Sequence, residues 1–486
     1  MIQRRNFMIS MGIAPSALLA SRQNASTESA VFNVLAFGSR GDGNTNDAQA
    51  IQHAIDACAT AGGGRVIFPP GKTYLSGTIL FKSNVTIELQ EGATLKASAN
   101  RDDFRNFGSL LFAKDVSNIA IRGAGKIDGN FNAYLTELGE GGYKVTGAFL
   151  GPYNPLEPPS NRNYADGRPR MILLVGCKNV RLSEFTVVDA PTWTIHLIGC
   201  DGLYVEGISI LNDLRVPNCD GIDVDHCRRV RIANCNIQAG DDCIVLKTSR
   251  NFANYGPTED VTVTGCTLTS SSAGFKIEPE GEQAIRNAVF SSCVISHSNR
   301  GICLLNRDGA LIEDLVFSNF VITTELRHSM WWGAGEPVHL SNLPRNASIK
   351  TGTVRGLRFS NFLCEAESGL FIHGWQDSPI ADVAFEDVRL ALRKTSKYKG
   401  GFYDLRPGEV YKGLYEHKIA GVYARWASDL ALRNVAIQWA PNLPSYYGSA
   451  LEAEDVTGLE LQNFKGGGAH PGVDPARLVN AKSFPD

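Results

Sequence analysis

The chain has 486 residues, a net charge of −3 and only 20% charged residues. This length is enough to bury a large core, and on length alone two to four domains would be expected. The near-neutral charge, with no run of basic residues, argues against nucleic acid as a partner and against an anionic membrane as a partner of the mature protein.

The N-terminal segment has the pattern of an export signal. Arg4 and Arg5 precede Phe7, and an apolar stretch follows over residues 9–20. A charged start, a short apolar stretch and small residues at its end are typical of secretory signals, and adjacent arginines are typical of the twin-arginine type. A transmembrane anchor is the alternative, but about twelve residues cannot cross about 30 Å of hydrocarbon. We predict that residues 1–25 are an export signal and that the mature protein is periplasmic or secreted.

The mature chain begins with a strand-like segment, a turn and one amphipathic helix. Asp47 stands where a helix N-cap is expected. Apolar residues then recur at helical spacing and define one face: Ala50, Ile51, Ala54, Ile55 and Cys58. A helix over one open end of a β-solenoid protects that end from pairing with other chains. We therefore predict an N-terminal capping helix.

From about residue 108 onward the sequence repeats a unit of roughly 22–30 residues, with short β-branched runs in each copy. The copies that we recognise begin at Lys178, Asp201, Arg229, Glu259, Arg286, Glu313, Arg355, Ala381, Ser428 and Thr457. Alternating βαβ units do not fit, because no helical segments separate the strands. A propeller blade would need four strands and a longer period.

The repeat predicts an all-β fold, a right-handed parallel β-helix (solenoid) of about ten turns. We expect one β-helical domain over residues 26–486, because no linker of low complexity interrupts the repeats. Two segments interrupt the pattern, at about residues 140–170 and 395–418, and we interpret them as long loops that wall one side of a groove.

The eleven cysteines do not have the spacing of a metal site. In an exported protein they could form disulfides. However, Cys235, Cys266 and Cys293 recur at the same place in successive repeats, which suits a column of small buried residues. We predict that most of the thiols are free and buried, and we predict no metal and no cofactor.

Two short acidic motifs dominate the sequence. The first is Asn218-Cys-Asp-Gly-Ile-Asp-Val-Asp and the second, one repeat later, is Gly240-Asp-Asp-Cys-Ile-Val-Leu-Lys. When the two are aligned, Asp220 falls on Asp242 just before each strand, so neighbouring parallel strands about 4.8 Å apart would gather Asp220, Asp241 and Asp242 in one patch. Three crowded carboxylates are unfavourable unless one holds a proton. This is the arrangement that an acid/base hydrolase needs.

Extending the same register predicts one column at the rim of the solenoid. Its members, in order, are Trp193, Asp220, Asp242, Ala273 and Arg300, with Ile195, Ile222, Ile244, Phe275 and Ile302 on the core side. Acids beside an aromatic residue and a cation suit a sugar-binding groove, since sugar rings pack on aromatic rings and arginine pairs with carboxylates. The alternative is that the aspartates only cap strands, as turn residues often do.

The two acidic motifs resemble the signature of glycoside hydrolase family 28, the polygalacturonases and rhamnogalacturonan hydrolases, as in a divergent bacterial member. The segments that begin at Val34 and Arg65 resemble the start of that family as well. The resemblance implies a parallel β-helix that hydrolyses with inversion. It also implies that Asp241 is the general acid and that Asp220 and Asp242 activate the attacking water. Inverting enzymes place acid and base roughly 6.5–9.5 Å apart, which we expect here.

The chain departs from the family pattern at two places. Ser272-Ala273-Gly274 stands where the family usually has Gly-His-Gly, and Cys303-Leu304-Leu305 stands where it has Arg-Ile-Lys. Nearby charged residues are candidates to replace the missing groups in substrate binding: Lys276, Glu278, Arg300 and Arg307. The alternative for each is a solvated charge on the rim. We expect a subsite for a modified uronic acid, or for rhamnose beside one.

Further candidates for substrate binding lie in both directions along the chain. Asn218 opens the first acidic motif, and His196 is expected near Asp223, where it would orient an acid or serve only the structure. Downstream, the aromatic and polar residues that would narrow the groove into an exo-acting pocket are Trp331, Trp332, Glu336, His373 and Trp375. Core or loop packing is the alternative for these large side chains.

Three functional classes fit the sequence. The first is an inverting glycosidase, which the Gly-Asp-Asp-Cys motif favours, acting on pectic or other uronic-acid-containing polysaccharides or oligosaccharides. A calcium-dependent polysaccharide lyase shares the architecture, and the acids at positions 220, 241 and 242 would suit Ca²⁺. A non-catalytic carbohydrate-binding solenoid is the third. We predict the glycosidase, with a polysaccharide or oligosaccharide substrate as its partner.

Overall fold

The protein folds into a right-handed parallel β-helix, in a computed structural model that describes residues 30–139, 142–145, 167–409, 413–481 and 483–484. Each turn of the chain contributes a strand to each of three parallel ladders, which we name ladders A, B and C. Every strand pairs with its equivalent in the next turn, so the ladders run continuously along the solenoid. The predicted fold is confirmed. The expected export signal and most of the expected 140–170 loop lie outside the described residues.

Ladder A carries the site described below. Its strands are Ile79–Leu80, Ser109–Lys114, Arg170–Val175, Ile195–Ile198, Ile222–Asp225, Ile244–Ser249, Ala273–Glu280, Arg300–Asn306, Val338–Asn342, Leu370–His373, the first parts of Val422–Trp439 and Leu451–Gln462, and Ala476–Val479.

Ladders B and C complete each turn. The strands of ladder B are Val31–Asn33, Gly64–Phe68, Val85–Leu89, Ser117–Arg122, Lys178–Ser183, Asp201–Glu206, Arg228–Ala233 and Thr258–Thr264. Those of ladder C are Asp42–Asn46, Thr73–Ser76, Thr94–Ala97, Lys126–Asp128, Thr186–Val188, Ser209–Leu211, Asn236–Ala239 and Thr267–Ser270. In later turns one long strand bends through both ladders: Ile285–Ser298, Leu311–Thr324, Thr353–Ala366, Ile380–Leu392 and Val422–Trp439. Ser483–Phe484 pairs at the end of ladder B.

The bends between ladders are made by residues with a left-handed backbone. Asn118 and Asn179 have φ values of 59° and 54°, a conformation that asparagine tolerates better than most residues. Because equivalent bends stack, their side chains bond along the solenoid, and the amide of Asn179 donates to Asn118 at 3.1 Å. The repeated Asn or Asp at this point of each copy is therefore explained by backbone geometry.

The N-terminal helix, Ala48–Thr60, covers the first turn as predicted. Ile51, Ala54, Ile55 and Cys58 are buried in the core. The prediction for Asp47 was wrong in detail: its side chain makes no cap hydrogen bond to the helix. Its carboxylate instead accepts from the backbone of Arg40 and Gly41, because the preceding turn folds back over it.

Stacked identical side chains fill the interior. The rings of Phe290, Phe317, Phe359 and Phe385 stack at centroid distances of 4.6, 5.0 and 4.5 Å. All eleven cysteines are free and buried, which confirms the prediction of buried thiols. Among the described residues, no helix is long and apolar enough to cross a membrane.

The short remaining elements lie outside the ladders. They are the 3₁₀ helices Val34–Phe37, Arg101–Phe104, Phe131–Ala133 and Arg250–Tyr255, and two antiparallel hairpins, Leu135–Glu137 with Tyr143–Val145 and Phe402–Asp404 with Leu414–Glu416.

The connections from ladder C to ladder A differ greatly in length. Three consecutive ones are short: 240–243, 271–272 and 299. Longer connections lie on both sides: 129–169 and 212–221 before them, with the shorter 189–194 between, and 325–337 and 393–421 after them, with the short 367–369 between. We name the three short connections the floor, and the described parts of the longer ones the N-terminal and C-terminal walls. Residues 410–412 of the second predicted long loop lie outside the described part.

Candidate active site

The three aspartates of the acidic motifs lie on this floor. Ile222 pairs with Ile244, and Val224 with Leu246, as the aligned motifs predicted. The backbone of Gly221 donates to the carbonyl of Asp242 at 2.9 Å, so the two turns lie side by side. One carboxylate oxygen from each of Asp220, Asp241 and Asp242 lies within 4.8 Å of the others. The predicted patch of three acids is therefore present.

Glycine next to the first acid is required by this close approach. A Cβ on Gly221 would lie 2.3 Å from the carbonyl oxygen of Cys243 in the next turn. No larger residue fits there without moving the backbone, so the glycine lets the turns that carry Asp220 and Asp242 meet.

Burial and mutual repulsion set the protonation of the patch. Asp220 and Asp242 are only 5% and 6% exposed. Burial and the charge of Asp242 raise the pKa of Asp241 to about 7. Burial, followed by the charges of Asp223, Asp241 and Asp242, also raises the pKa of Asp220 well above its usual value. At neutral and acidic pH the patch therefore retains protons, as crowded carboxylates must.

Asp242 has the most complete set of donors. Its Oδ1 accepts from the backbone of Ala273 at 2.9 Å, and its Oδ2 lies 3.1 Å from the Nζ atom of Lys276. Burial alone lowers the pKa of Lys276, but the charge of Asp242 raises it above its usual value. Lys276 also lies 3.3 Å from Glu278, which pairs with Arg307. A buried chain of alternating charges thus starts at the patch of three acids.

Aromatic and charged groups lie on the N-terminal side of the patch. The ring of Trp193 packs edge-on against His196 at 4.7 Å, with the Nζ of Lys247 at 4.6 Å and the guanidinium of Arg170 at 5.3 Å from its centre. His196 bonds to Asp225 at 3.2 Å. Burial raises the pKa of Asp225, but hydrogen bonds and charge from His196 outweigh it and lower the pKa to about 2.

Arg300 organises the C-terminal wall. Its guanidinium lies 3.3 Å from Glu336 and donates to the backbone carbonyl of Asp404. The carboxylate of Asp404 accepts from the backbone of Gly333 at 2.7 Å. Burial opposes ionisation of Glu336, but the charge of Arg300 lowers its pKa to about 2. Arg300 therefore joins the column of the aspartates to two loops, and we name Arg300, Glu336 and Asp404 the wall hub.

The two walls also touch each other. On the N-terminal side, Arg215 bonds to Glu137 at 2.5 Å, which fixes the Leu135–Glu137 hairpin on the 212–221 connection. A Cβ on Gly142, in the turn of this hairpin, would lie 3.2 Å from the sulfur of Met330 in the opposite wall. The described parts of the two walls are therefore in contact at this point.

A long segment of the sequence also matches a known protein family. Residues 58–322, more than half of the chain, match the family model described as Glycosyl hydrolases family 28. The chain belongs to this family.

This family 28 glycosidase is similar to several known sequences and solved structures at low identity. A probable polygalacturonase of Vitis vinifera is 24% identical over 391 residues, covering 74% of each chain. An exo-poly-alpha-D-galacturonosidase of Dickeya chrysanthemi is 26% identical over 331 residues, covering 60% of this chain and 50% of that protein. The solved structure of a hyperthermoactive exopolygalacturonase from Thermotoga maritima superposes with a TM-score of 0.64 at 21% identity, covering 84% and 92% of the two chains. At this identity the structural likeness shows the fold.

At the two places where this glycosidase departs from the family motifs, apolar side chains pack together. Ala273, Cys303 and Leu305 pack into a small apolar cluster apart from the main core. This cluster occupies the places where our comparison of motifs expected a histidine and a pair of basic residues. A cation from a different position contacts the acids instead: the Nζ atom of Lys276 lies 3.1 Å from Asp242.

The other predicted site residues are placed as follows. Lys276, Glu278, Arg300 and Arg307 are all buried, so the alternative of solvated rim charges was wrong. Trp332 is 40% exposed on the C-terminal wall. Asn218 is exposed, and its Oδ1 lies 3.5 Å from Arg168.

His373 is not beside the aspartates. It is buried four strands beyond the strand of Asp242 in ladder A, about 19 Å at the usual strand spacing. Its ring packs against Phe371 and Trp426.

Three residues of the site were not predicted from the sequence: Arg170, Lys247 and Asp404. Lys247 had a usable signal, because it stands in register with Asp225 on the outer face of ladder A. Arg170 had the weaker signal of a charge at the start of an apolar strand. Asp404 had none, since its role depends on how the 393–421 connection folds over the wall.

Proposed function

We propose that this family 28 protein is an exo-acting, inverting glycosidase that cleaves pectic or other uronic-acid-containing polysaccharides and oligosaccharides. The observation that carries the proposal is the patch in which Asp220, Asp241 and Asp242 bring oxygens within 4.8 Å of one another. The polygalacturonase names of distant relatives support the substrate class. The reaction needs neither a metal nor a cofactor.

In the proposed mechanism Asp241 is the general acid. Its pKa of about 7 lets it hold a proton at neutral pH and give it to the glycosidic oxygen as the bond to the anomeric carbon breaks. A water molecule attacks that carbon from the opposite face, and Asp242 or Asp220 takes the proton that the water loses. The acid and the base then exchange protons with solvent before the next cycle.

The inverting outcome is inferred from family resemblance. The nearest oxygens of the patch lie within 4.8 Å, closer than the roughly 6.5–9.5 Å that the general rule gives for inverting enzymes, so the spacing itself does not support it. The anomeric form of the first product, followed by NMR during hydrolysis, decides the matter. Inversion predicts that the anomer opposite to the substrate's appears first.

The exo mode is supported by the walls. Long connections rise on both sides of the floor, and Gly142 on one wall lies beside Met330 on the other. In our proposal this contact closes the groove into a pocket that admits a chain end, whereas an endo-acting enzyme needs a cleft open at both ends. The apolar cluster of Ala273, Cys303 and Leu305 supports a sugar position that lacks a free carboxylate, such as an esterified uronic acid or rhamnose.

The decisive test is hydrolysis of a panel of pectic and rhamnogalacturonan oligosaccharides, with products identified by mass. We expect single sugars or short fragments released from chain ends, and loss of roughly 10²–10⁴-fold in rate for Asp241→Asn. Binding without product release by the parent protein would support a carbohydrate-binding solenoid instead.

A calcium-dependent lyase is the second candidate, because three carboxylate oxygens within 4.8 Å are a donor set that suits Ca²⁺. Elimination gives an unsaturated uronate that absorbs near 235 nm (roughly), and a chelator would stop the reaction. A chelator-resistant reaction without this absorbance supports the hydrolase.

We also propose that residues 1–25 direct export to the periplasm or beyond, and that residues 26–486 form one catalytic domain. Polymeric substrates lie outside the cell, and Arg4-Arg5 has the twin-arginine pattern. Replacing both arginines by lysine should keep the protein in the cytoplasm, as shown by cell fractionation.

A further inference from the structure

Asp223 carries a fully buried carboxyl group. It lies in the strand Ile222–Asp225 and is 0% exposed. Neither of its carboxyl oxygens has a partner among the residues that the structure describes. Buried polar groups are nearly always paired, and an unpaired carboxyl destabilises the free protein. Such a group therefore requires an explanation.

Its position points to the active site. Ile222 and Val224 face the core, so Asp223 faces outward in the row that runs from His196 through Asp223 and Val245 to Lys276. Asp220, in the catalytic patch, precedes it by three residues. Burial followed by the charge of Asp223 raises the pKa of Asp220, which shows that the two carboxyls are close.

The neighbouring acid shows that this environment can satisfy a carboxylate. Asp225 has the same burial and faces the same side of the same strand. It accepts from the backbone of Ser249 at 2.8 Å and from its hydroxyl at 2.6 Å, and it bonds to His196. Asp223 has no hydrogen bond of this kind within the described part of the chain. Burial raises its pKa, while the charges of Lys247 and Arg170 act in the opposite direction without outweighing burial. The fold therefore completes the bonds of one acid and leaves those of the other open.

We propose that Asp223 binds a hydroxyl group of the substrate sugar next to the scissile bond, on the N-terminal side of the catalytic patch. The proposal deepens the proposed function and rests on it. A sugar hydroxyl can both donate and accept, which suits a carboxyl in either protonation state. Trp193, in the aspartate column one turn before Asp220, supplies an apolar ring beside the same place.

Access does not contradict the proposal. Asp220 and Asp242 are themselves almost covered, at 5% and 6% exposure, so low exposure does not set Asp223 apart from the acids of the proposed catalytic patch. Asp223 lies in the same turn of the solenoid as Asp220, in the neighbouring row of outward-facing residues of ladder A. A cation fits the place beside Asp223 less well than a hydroxyl group does. The carboxylate oxygens that converge on one point belong to Asp220, Asp241 and Asp242, and Asp223 is not among them.

The test compares Asp223→Asn with Asp225→Asn in the full-length protein. We expect Asp223→Asn to raise the melting temperature, because an unpaired acid is removed, and Asp225→Asn to lower it. On pectic oligosaccharides Asp223→Asn should raise KM about tenfold, with kcat changed less than about threefold. The stability gain should be larger at pH 8 than at pH 5, because burial raises the pKa of Asp223 and ionisation is then most costly.

The results that would contradict the role of Asp223 can be told apart from those that would contradict the proposed function. If Asp223→Asn lowers the melting temperature as Asp225→Asn does and leaves KM unchanged, Asp223 only holds a structural water, and the proposal is wrong. If Asp223→Asn does not fold, Asp223→Ser is measured in the same way. If the parent protein hydrolyses nothing, the proposed function has failed, and binding of the same oligosaccharides by calorimetry then tests Asp223 separately: equal affinity of parent and variant overturns it.

Discussion

At the scale of single residues, the positions of protons and cations distinguish the acids of the site from one another. Asp241 and Asp242 are adjacent in sequence but have different surroundings, because Lys276 pairs with Asp242 while burial and repulsion keep a proton on Asp241. Two neighbouring acids can therefore take opposite roles, one giving a proton and one accepting it. The missing family histidine is not needed for this difference, since Lys276 supplies a cation from the next strand.

The first prediction concerns pH. In the proposed mechanism Asp241 is the general acid and must be protonated, and its pKa is raised to about 7. We therefore expect kcat to fall as pH rises through about 7, by up to tenfold per pH unit. Initial rates between pH 4 and 9, with circular dichroism at each pH to show that the fold persists, provide the measurement. A rate that still increases at pH 8 would exclude Asp241 as the acid.

The second prediction concerns Lys276. Lys276→Met leaves Asp242 and Glu278 buried without their common cation, and breaking a buried pair in this way costs about 3–5 kcal/mol. We expect a lower unfolding midpoint in urea together with a large loss of kcat. Lys276→Arg keeps the charge and is the matched control, with a smaller loss of both. Full activity in Lys276→Met would show that Asp242 needs no cation.

At the scale of elements, the length of the connections decides the shape of the site. The β-helix supplies a uniform platform, and the short connections at 240–243, 271–272 and 299 place the acids between longer connections. The wall hub then fixes how the later loops stand over them, through Glu336 at 3.3 Å from Arg300 and Gly333 at 2.7 Å from Asp404. Glu367 adds a second anchor, since it accepts from the backbone of Leu326 and Thr395, at the start of both wall loops.

The third prediction tests the wall. Asp404→Asn weakens the bonds from Gly333 and Arg406 and should loosen the C-terminal wall. If the wall enforces exo action, oligosaccharides longer than those released by the parent should appear among the products, while the melting temperature falls by a few degrees. Asp382→Asn, which removes a charge from an exposed ion pair with Arg358, is the control and should change neither. If Asp404→Asn releases the same products as the parent, the C-terminal wall is not the cause of exo action.

At the scale of the whole molecule, stability comes from stacking along the solenoid. Phe359 lies between Phe317 and Phe385, with ring centres 5.0 and 4.5 Å away, so each turn is held mainly by its neighbours. A defect in one turn therefore weakens the contacts on both sides of it. The catalytic turns are not isolated from this column, because Phe275, in the strand after Asp242, packs on Phe290 at 5.0 Å.

The fourth prediction follows from this column. Phe359→Ala should lower the free energy of unfolding by about 3–5 kcal/mol, the usual cost of deleting a buried ring. Leu363→Ala, in the same strand but 55% exposed, should change it by less than about 0.5 kcal/mol. Urea unfolding followed by tryptophan fluorescence measures both. Equal midpoints for the two variants would mean that the column is not the source of stability.

The sequence by itself determined the repeat, the fold and the convergence of three acids. Strand alternation and a recurring period are local properties, so the pairing of Ile222 with Ile244 follows from aligning two short motifs. The aspartate column also follows, and Arg300 stands opposite Ala273 as expected. Family resemblance added roles for the acids that their spacing alone does not assign.

Only the tertiary structure decided what surrounds those acids. Arg300 bonds to Asp404, 104 residues away, because a long connection folds back over the wall. His196 stands opposite Asp223 but bonds to Asp225, a choice made by side-chain reach and not by register. Burial and hydrogen bonding depend on the paths of loops that no periodic pattern encodes, and for that reason the open carboxyl of Asp223 was visible only in three dimensions.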